Sequence, residues 1–206
     1  MEVVKMLGDL SAKYESNGNP GTISTGDGDS GGKSYGMYQF ASNAGTPQNF
    51  VEWLLNNGNP MGNILSAGEV GSREFDVVWM KLAQDCTAGF AGAQHEFIEA
   101  FYFTPAVDSL GEIGIRVLER SEALQQVLWS RAVQYGPKWM TDLFKEAARD
   151  AGQELFDMSD RDLIWWIYEV NLTDPDWTAG SPSLRPGLFA RFEAERTDAL
   201  NMLEGE

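Results

Sequence analysis

The stretch Tyr14-Glu15-Ser16-Asn17-Gly18-Asn19-Pro20, answered further on by Ser34-Tyr35-Gly36-Met37-Tyr38-Gln39-Phe40, decides how this chain is read. Upstream of it, Val3, Val4, Leu7, Leu10 and Tyr14 recur at three- and four-residue spacing, which predicts an amphipathic helix over residues 3–15. Gly18 and Pro20 stop that helix, so Glu15 falls in its last turn. Downstream, Thr22-Ile23-Ser24-Thr25 and Ser34-Tyr35-Gly36-Met37-Tyr38 are short β-prone runs around Gly26-Asp27-Gly28-Asp29-Ser30-Gly31-Gly32. They predict a hairpin over residues 21–39 with a long tip.

Beyond the hairpin the pattern is helical. Asn49–Asn56, Ser72–Gln84, Ala91–Phe101, Leu110–Arg120, Ser121–Tyr135 and Trp139–Ala151 are predicted helices, separated by Gly, Pro or Asn. Ser159 and Asp162 form an N-cap pair opening a helix through Tyr168. Residues 171–187 read as a loop, and Leu188–Leu203 as a closing amphipathic helix. With no internal repeat and no linker, the expectation is a mostly α fold of the α+β class. It places one domain over residues 1–206, helical throughout except for a small β-hairpin near its N-terminus.

Composition narrows the function classes. A chain of 206 residues with 43% hydrophobic and 12% aromatic content can bury a proper core. No run reaches the roughly 18 apolar residues that a membrane span requires, and the first residues lack the basic-then-apolar pattern of a secretory signal. The chain is therefore expected to be made in the cytoplasm without a signal peptide and not to insert in a membrane. One cysteine, Cys86, and one histidine, His95, supply no set of soft ligands, so neither a metal nor a cofactor is expected. A formal charge of -16 excludes nucleic acid as a natural partner, since phosphate contacts need clustered Lys and Arg. The same charge opposes docking on anionic lipid.

A carboxylate in the last turn of a helix feels the negative end of the macrodipole, and burial by Tyr14 and neighbouring aromatics would add to that effect. Both favour its protonated form, so the sequence predicts an upward pKa shift for Glu15. That suits a general acid that protonates a glycosidic oxygen, with a second carboxylate, an activated water or the substrate's own acetamido group completing the reaction. Asp27 and Asp29 are the candidates for the second carboxylate. The plain alternatives are a solvated helix-terminal glutamate for Glu15 and a solvated turn for the two aspartates. A calcium loop lacks its later ligands.

Glu15-Ser16 with Pro20, followed by Gly36-x-x-Gln39, resembles the signature of the lysozyme superfamily, in its goose-type lysozyme and lytic transglycosylase branch and in phage-encoded relatives. Val127-Leu128-Trp129-Ser130-Arg131-Ala132-Val133-Gln134-Tyr135-Gly136-Pro137 is similar to the Trp-Ser-x-x-Val-Gln-x-Gly segment of phage and prophage wall-degrading proteins. It also resembles the Tyr-Asn-x-Gly-Pro segment of transglycosylases, with the Asn missing. Arg191-Phe192 and Glu195 to Ala199-Leu200 fit the same phage-related pattern.

The resemblance implies a peptidoglycan-degrading glycosidase, a muramidase or lytic transglycosylase, with Glu15 as the acid and Ser16 orienting it. It implies that Gln39, Gln134 and Tyr135 contact sugar, with Ser34, Tyr35, Gly36 and Tyr38 lining the same hairpin. Tyr35 or Tyr38 would stack on a pyranose ring, although alternation puts them on opposite faces of a regular strand. Gln134 and Tyr135 also read as the polar end of a core helix, and His95 as a surface or satisfied core histidine. The implied partners are peptidoglycan glycan strands and a phage tail or other tether that holds an acidic enzyme at a polyanionic wall, after release or as a virion component. A chitosanase, whose cationic substrate suits the -16 charge, and a catalytically silent phage structural or glycan-binding module stay open beside this reading.

Overall fold

Helix formation starts later than the periodicity predicts, and the reason is a single glycine. The computed structural model describes residues 6–25, 31–179 and 185–206. In it α1 runs Asp9–Ser16. Gly8 sits at φ +91 with its Cα against the Trp129 indole, where a Cβ would lie 2.8 Å from a ring carbon. The amides of Gly8 and Leu10 donate to Gln126 Oε1 at 2.8 and 3.3 Å, and Gln126 Nε2 donates to the Met6 carbonyl at 2.7 Å. A buried side-chain amide thus satisfies donors that a helix start leaves open. Residues 3–5 of the predicted helix lie outside the described residues. Asn17 (φ 57) and Gly18 (φ 74) end α1 in left-handed conformations, with Glu15 in its last turn as expected.

The predicted pairing forms over a short stretch, with the Ser24 amide donating to the Ser34 carbonyl at 2.9 Å and the Gly36 amide to the Thr22 carbonyl at 2.7 Å, and a second hairpin adds to it. Strands β1 (Ser34–Tyr35) and β2 (Phe40–Ala41) pair antiparallel, Ser34 opposite Ala41 and Tyr35 opposite Phe40. The Thr22–Thr25 run contributes a single bridge, Ile23 to Tyr35. The chain turns at Gly36 (φ 79), so the alternation expected through Gln39 stops there.

The helices follow as α2 (Thr46–Asn56), α3 (Pro60–Leu65), α4 (Arg73–Asp85), α5 (Thr87–Ile98), α6 (Thr104–Glu112), α7 (Glu122–Tyr135), α8 (Met140–Ala151), α9 (Asp160–Thr173) and α10 (Arg185–Glu204). Serine N-caps open three of them: Ser72 accepts from Phe75, Ser121 from Leu124 and Ser159 from Asp162. Helix α5 passes directly into a π turn at Glu99–Phe103 and then α6. Pro105 removes an amide donor and crowds the preceding turn, and the wider π turn takes up that misfit. The helix predicted over Leu110–Arg120 does not form as one piece. Gly114 at φ 86 closes α6, and only a 3₁₀ turn at Val117–Glu119 follows.

Two compact units result: Glu15–Ile98, and Met1–Tyr14 together with Glu99–Glu206. The first has an aromatic core. Tyr35, Phe40, Phe50, Phe75, Trp79, Phe90 and Phe97 are buried, with Trp79 and Phe90 edge-on at 4.8 Å between centroids. The second is built round α7, whose residues from Ala123 to Ala132 are buried except Gln125, and which packs against α8, α9 and α10. No helix among the described residues is long and apolar enough to cross a membrane.

Candidate active site

Within the Glu15–Ile98 unit, the end of α1 is fastened to the loop after β1 through one residue, Met37. Ser16 Oγ donates to the Met37 carbonyl at 2.9 Å, and the Met37 amide donates to Gln94 Oε1 at 2.8 Å. Gln94 is fully buried on α5, and its Nε2 donates to the Pro20 carbonyl at 3.0 Å. Trp79 Nε1 meets the same carbonyl at 2.9 Å. One neutral amide therefore fixes the backbone at both Pro20 and Met37. Gly36 is required at its position: beyond its positive φ, a Cβ there would overlap Gln94 Oε1 and lie 2.9 Å from the Trp79 ring. Gln39 (φ 48) closes the turn by donating its Nε2 to the Gly36 carbonyl at 3.0 Å.

Half-buried Glu15 thus sits one residue from a pinned backbone contact. Ser16, Gly36 and Gln39 belong to the same hydrogen-bonded arrangement. Ser34 is buried in β1, where its amide donates to Ser24 Oγ at 2.9 Å. Asp27 and Asp29 lie outside the described residues.

The two tyrosines correct the expectation of sugar stacking. Tyr35 is fully buried against Phe75 and Trp79, and its hydroxyl donates to Asp76 Oδ1 at 2.6 Å while accepting from the Gly71 amide at 3.2 Å. Burial and the Asp76 carboxylate push its phenol well above the usual range. Asp76 also pairs with Lys33 at 2.6 Å. Tyr38 is 3% exposed, with its hydroxyl 3.1 Å from His95 Nδ1. Neither ring face is open to a pyranose.

Gln134 and Tyr135 end α7 in the other unit and line a pocket of about 640 Å³. The Tyr135 ring stands edge-on to Trp177 at 4.9 Å. Its hydroxyl is buried near the Arg131 guanidinium but outside hydrogen-bonding geometry, and burial pushes its pKa up. Beneath it lies an ion pair that the sequence reading missed. Arg131 and Glu195 are both fully buried and meet at 2.6 Å. Ser130 Oγ also donates to Glu195, and Arg131 Nη1 donates to Asn171 Oδ1 at 3.2 Å. The guanidinium lies 4.6 Å from the Phe192 ring centre and 4.9 Å from that of Tyr168. The Ser130-Arg131 step of the quoted motif therefore joins α7 to α9 and α10. The available signal was Glu195 itself, three residues after Phe192 and four before Ala199, a carboxylate on an apolar stripe. Gln94 carried the same signal, four after Phe90 and three before Phe97.

No group of three or more His, Cys, Asp or Glu side chains among the described residues is placed to hold a metal ion.

Comparison with known proteins sets this geometry in a family. The fold is similar to the native chitosanase of Bacillus subtilis, with a TM-score of 0.64 and 19% identity over 94% of this chain and 87% of that one. A Glu→Ala mutant of a Bacillus subtilis chitosanase, complexed with 6 GlcN, gives a TM-score of 0.63 at 19% identity and the same coverage. This likeness concerns the fold, a mostly α, lysozyme-like architecture with a small antiparallel sheet, as the sequence predicted. The chain is also 32% identical over 198 residues to the type VI secretion system spike protein VgrG3 of Vibrio cholerae serotype O1. That alignment covers 95% of this chain and 19% of the Vibrio protein. The motifs had suggested phage proteins, whereas these matching sequences are secretion-system spikes. Residues 7–196 match the family described as type VI secretion system spike protein VgrG3-like, C-terminal, and the chain belongs to that family.

Proposed function

We propose that the chain is a glycosidase that cleaves the β-1,4 bond between N-acetylmuramic acid and N-acetylglucosamine in peptidoglycan, with Glu15 as general acid. The observation that carries this reading is the attachment of Ser16 to Met37, which holds the last turn of α1 against the Gly36–Gln39 loop. A general acid contributes only when its proton is held within hydrogen-bond reach of the leaving oxygen, so a pinned helix end is what the role requires. Glu15 gives its proton to the glycosidic oxygen as the bond to the anomeric carbon breaks and an oxocarbenium-like centre develops. Capture of that centre by water gives hydrolysis; capture by a hydroxyl of the same sugar gives an anhydro product. Asp27 and Asp29 are our candidates for activating the water. Gln39, with its amide partly committed to Gly36, offers a further polar contact to sugar.

The chain spans 19% of the length of the Vibrio spike protein it matches. We therefore read it as a domain carried to the wall by a secreted spike. Such tethering supplies effective concentration and offsets the repulsion between a -16 chain and an anionic polymer. The activity of the isolated chain on purified sacculi is then expected to rise with added salt; indifference to salt removes the electrostatic motive for a tether.

Incubating wild type and Glu15→Gln with purified peptidoglycan and with chitosan, and weighing the products by mass spectrometry, tests the main reading. Reducing-end muropeptides from the wild type alone are the expected result, and products lighter by one water mark transglycosylation. Equal activity of the variant overturns the role of Glu15. The chitosanase-like fold and the acidic charge favour one second reading, cleavage of a glucosamine polymer, and products from chitosan alone decide for it.

A further inference from the structure

The pocket at the end of α7 is built by four features of one unit, with Leu188 of α10 beside them. These are the last turn of α7, the 3₁₀ turn Pro137–Trp139, the first two turns of α8 and the 3₁₀ turn Pro175–Thr178. Its volume of about 640 Å³ lies in the range of small-ligand sites, roughly 300–1,000 Å³. Two indoles stand in its wall. Trp139 is 46% exposed, unusual for so large an apolar side chain, and Trp177 is held in place by donating its Nε1 to Glu146 Oε2 at 2.8 Å. Asp142 and Glu146, one helical turn apart, share the α8 face that lines the pocket, and Asp174 and Asp176 line it from the other side. No lysine or arginine is among its lining residues. Cations stand at its edge: Arg149 pairs with Glu146 at 2.7 Å, the Lys138 ammonium lies 5.2 Å from the Trp139 ring centre, and Arg185 donates to the Pro175 carbonyl at 3.3 Å.

With Glu146 matched by Arg149, the charge of Asp142, Asp174 and Asp176 repels an anionic ligand, and a neutral sugar would stack on the indoles while leaving that charge unmatched. A primary ammonium beside an apolar ring or chain satisfies both, through cation–π attraction to the indoles and charge-assisted hydrogen bonds to Asp142 and Asp176. We infer that this pocket binds a primary ammonium group carried on the wall polymer. The amine has two sources there, a de-N-acetylated glucosamine of the glycan or the side-chain amine of an attached peptide. The carrier rests on the glycosidase reading above, but the pocket does not depend on Glu15.

The test uses the full chain with Glu15→Gln, so that ligands survive, and follows tryptophan fluorescence and calorimetric heat on titration. The probes are a glucosamine hexamer, an N-acetylglucosamine hexamer, a disaccharide-peptide with a free side-chain amine, and the same compound with that amine acetylated. At least one free-amine probe is expected to bind about tenfold more tightly than its acetylated partner, and which one does so identifies the source. Adding Asp142→Asn and Asp176→Asn is expected to abolish that preference with thermal unfolding unchanged. Trp177→Phe, which keeps an aromatic ring, is expected to weaken binding less. Equal binding of free and acetylated probes, or an unchanged preference in the double variant, overturns the site. Cleavage by the wild type is scored separately, so loss of the pocket and loss of the glycosidase reading give different results.

Discussion

The two units solve the same problem with opposite chemistry. Each buries a polar side chain under a sequence motif, but the Glu15–Ile98 unit uses the neutral amide of Gln94 and the other uses the charged pair Arg131–Glu195. Gln94 bonds backbone, at Pro20 and Met37, and so fixes the path of a loop. Arg131 and Glu195 bond side chains, and so fix the packing of helices. On our proposal the first arrangement positions a proton donor, whereas the second only has to hold its helices together. A neutral clamp tolerates the partial exposure of a working site, while a buried ion pair demands that every charge be met.

Substitutions separate the two roles. Glu15→Gln is expected to lower turnover on purified sacculi by about 10² to 10⁴-fold, the usual contribution of a general acid, with unfolding in urea unchanged. Glu195→Gln leaves Arg131 without its counter-charge in a buried site and is expected to cost about 3–5 kcal/mol in urea unfolding. Converting Arg131 and Glu195 together to apolar residues of similar volume is expected to restore most of that loss, which would show the pair to be structural. Gln94→Leu orphans the Met37 amide and is expected to cost about 1–3 kcal/mol. Unlike Glu195→Gln, it should also lower turnover at temperatures where the protein stays folded, because the Ser16 anchor on Met37 loosens.

The smallest effect lies at Asp160, which accepts from the Ser121 amide at 2.8 Å and pairs with Arg120. Burial favours its neutral form, but the hydrogen bonds from Ser121 and the Arg120 guanidinium outweigh it and hold its pKa below the ordinary 3.8. The depressed value means that this stabilisation is complete above about pH 5 and fades as pH falls through and below 3.8. Asp160→Asn should therefore flatten the acid limb of a stability–pH curve and leave the neutral region slightly lowered.

The sequence reading succeeded where the deciding signals are local. The Ser159–Asp162 cap, the end of α1 at Asn17-Gly18 and the existence of most helices rest on neighbours a few residues apart. It failed where a distant partner decides. Helix α1 starts at Asp9 because Gln126 and Trp129 hold Met6–Gly8, and no periodicity near residue 3 carries that information. Tyr35 reads as a stacking ring because apolar sugar faces pack on aromatics, yet Asp76, 41 residues on, takes its hydroxyl inward. The motif at Ser130-Arg131 was visible as a motif but not as half of an ion pair closed 64 residues later. Helix α3 carries a local start signal, since Pro60 follows Asn59 and Asn59 Oδ1 accepts from the Met61 amide at 3.0 Å.

The way the chain supplies its units bears on the order in which it folds. Residues 15–98 form one unit from a continuous segment, whereas the other needs residues up to Tyr14 together with everything from Glu99 onward. The first turns of α1 find Gln126 more than a hundred residues later, and Lys13 and Tyr14 find Asp198 later still. During synthesis the continuous unit is therefore expected to fold first, on the ribosome, with the segment that leads into it still waiting. Closing the second unit is a long-range event of high loop entropy, which makes it the slow step.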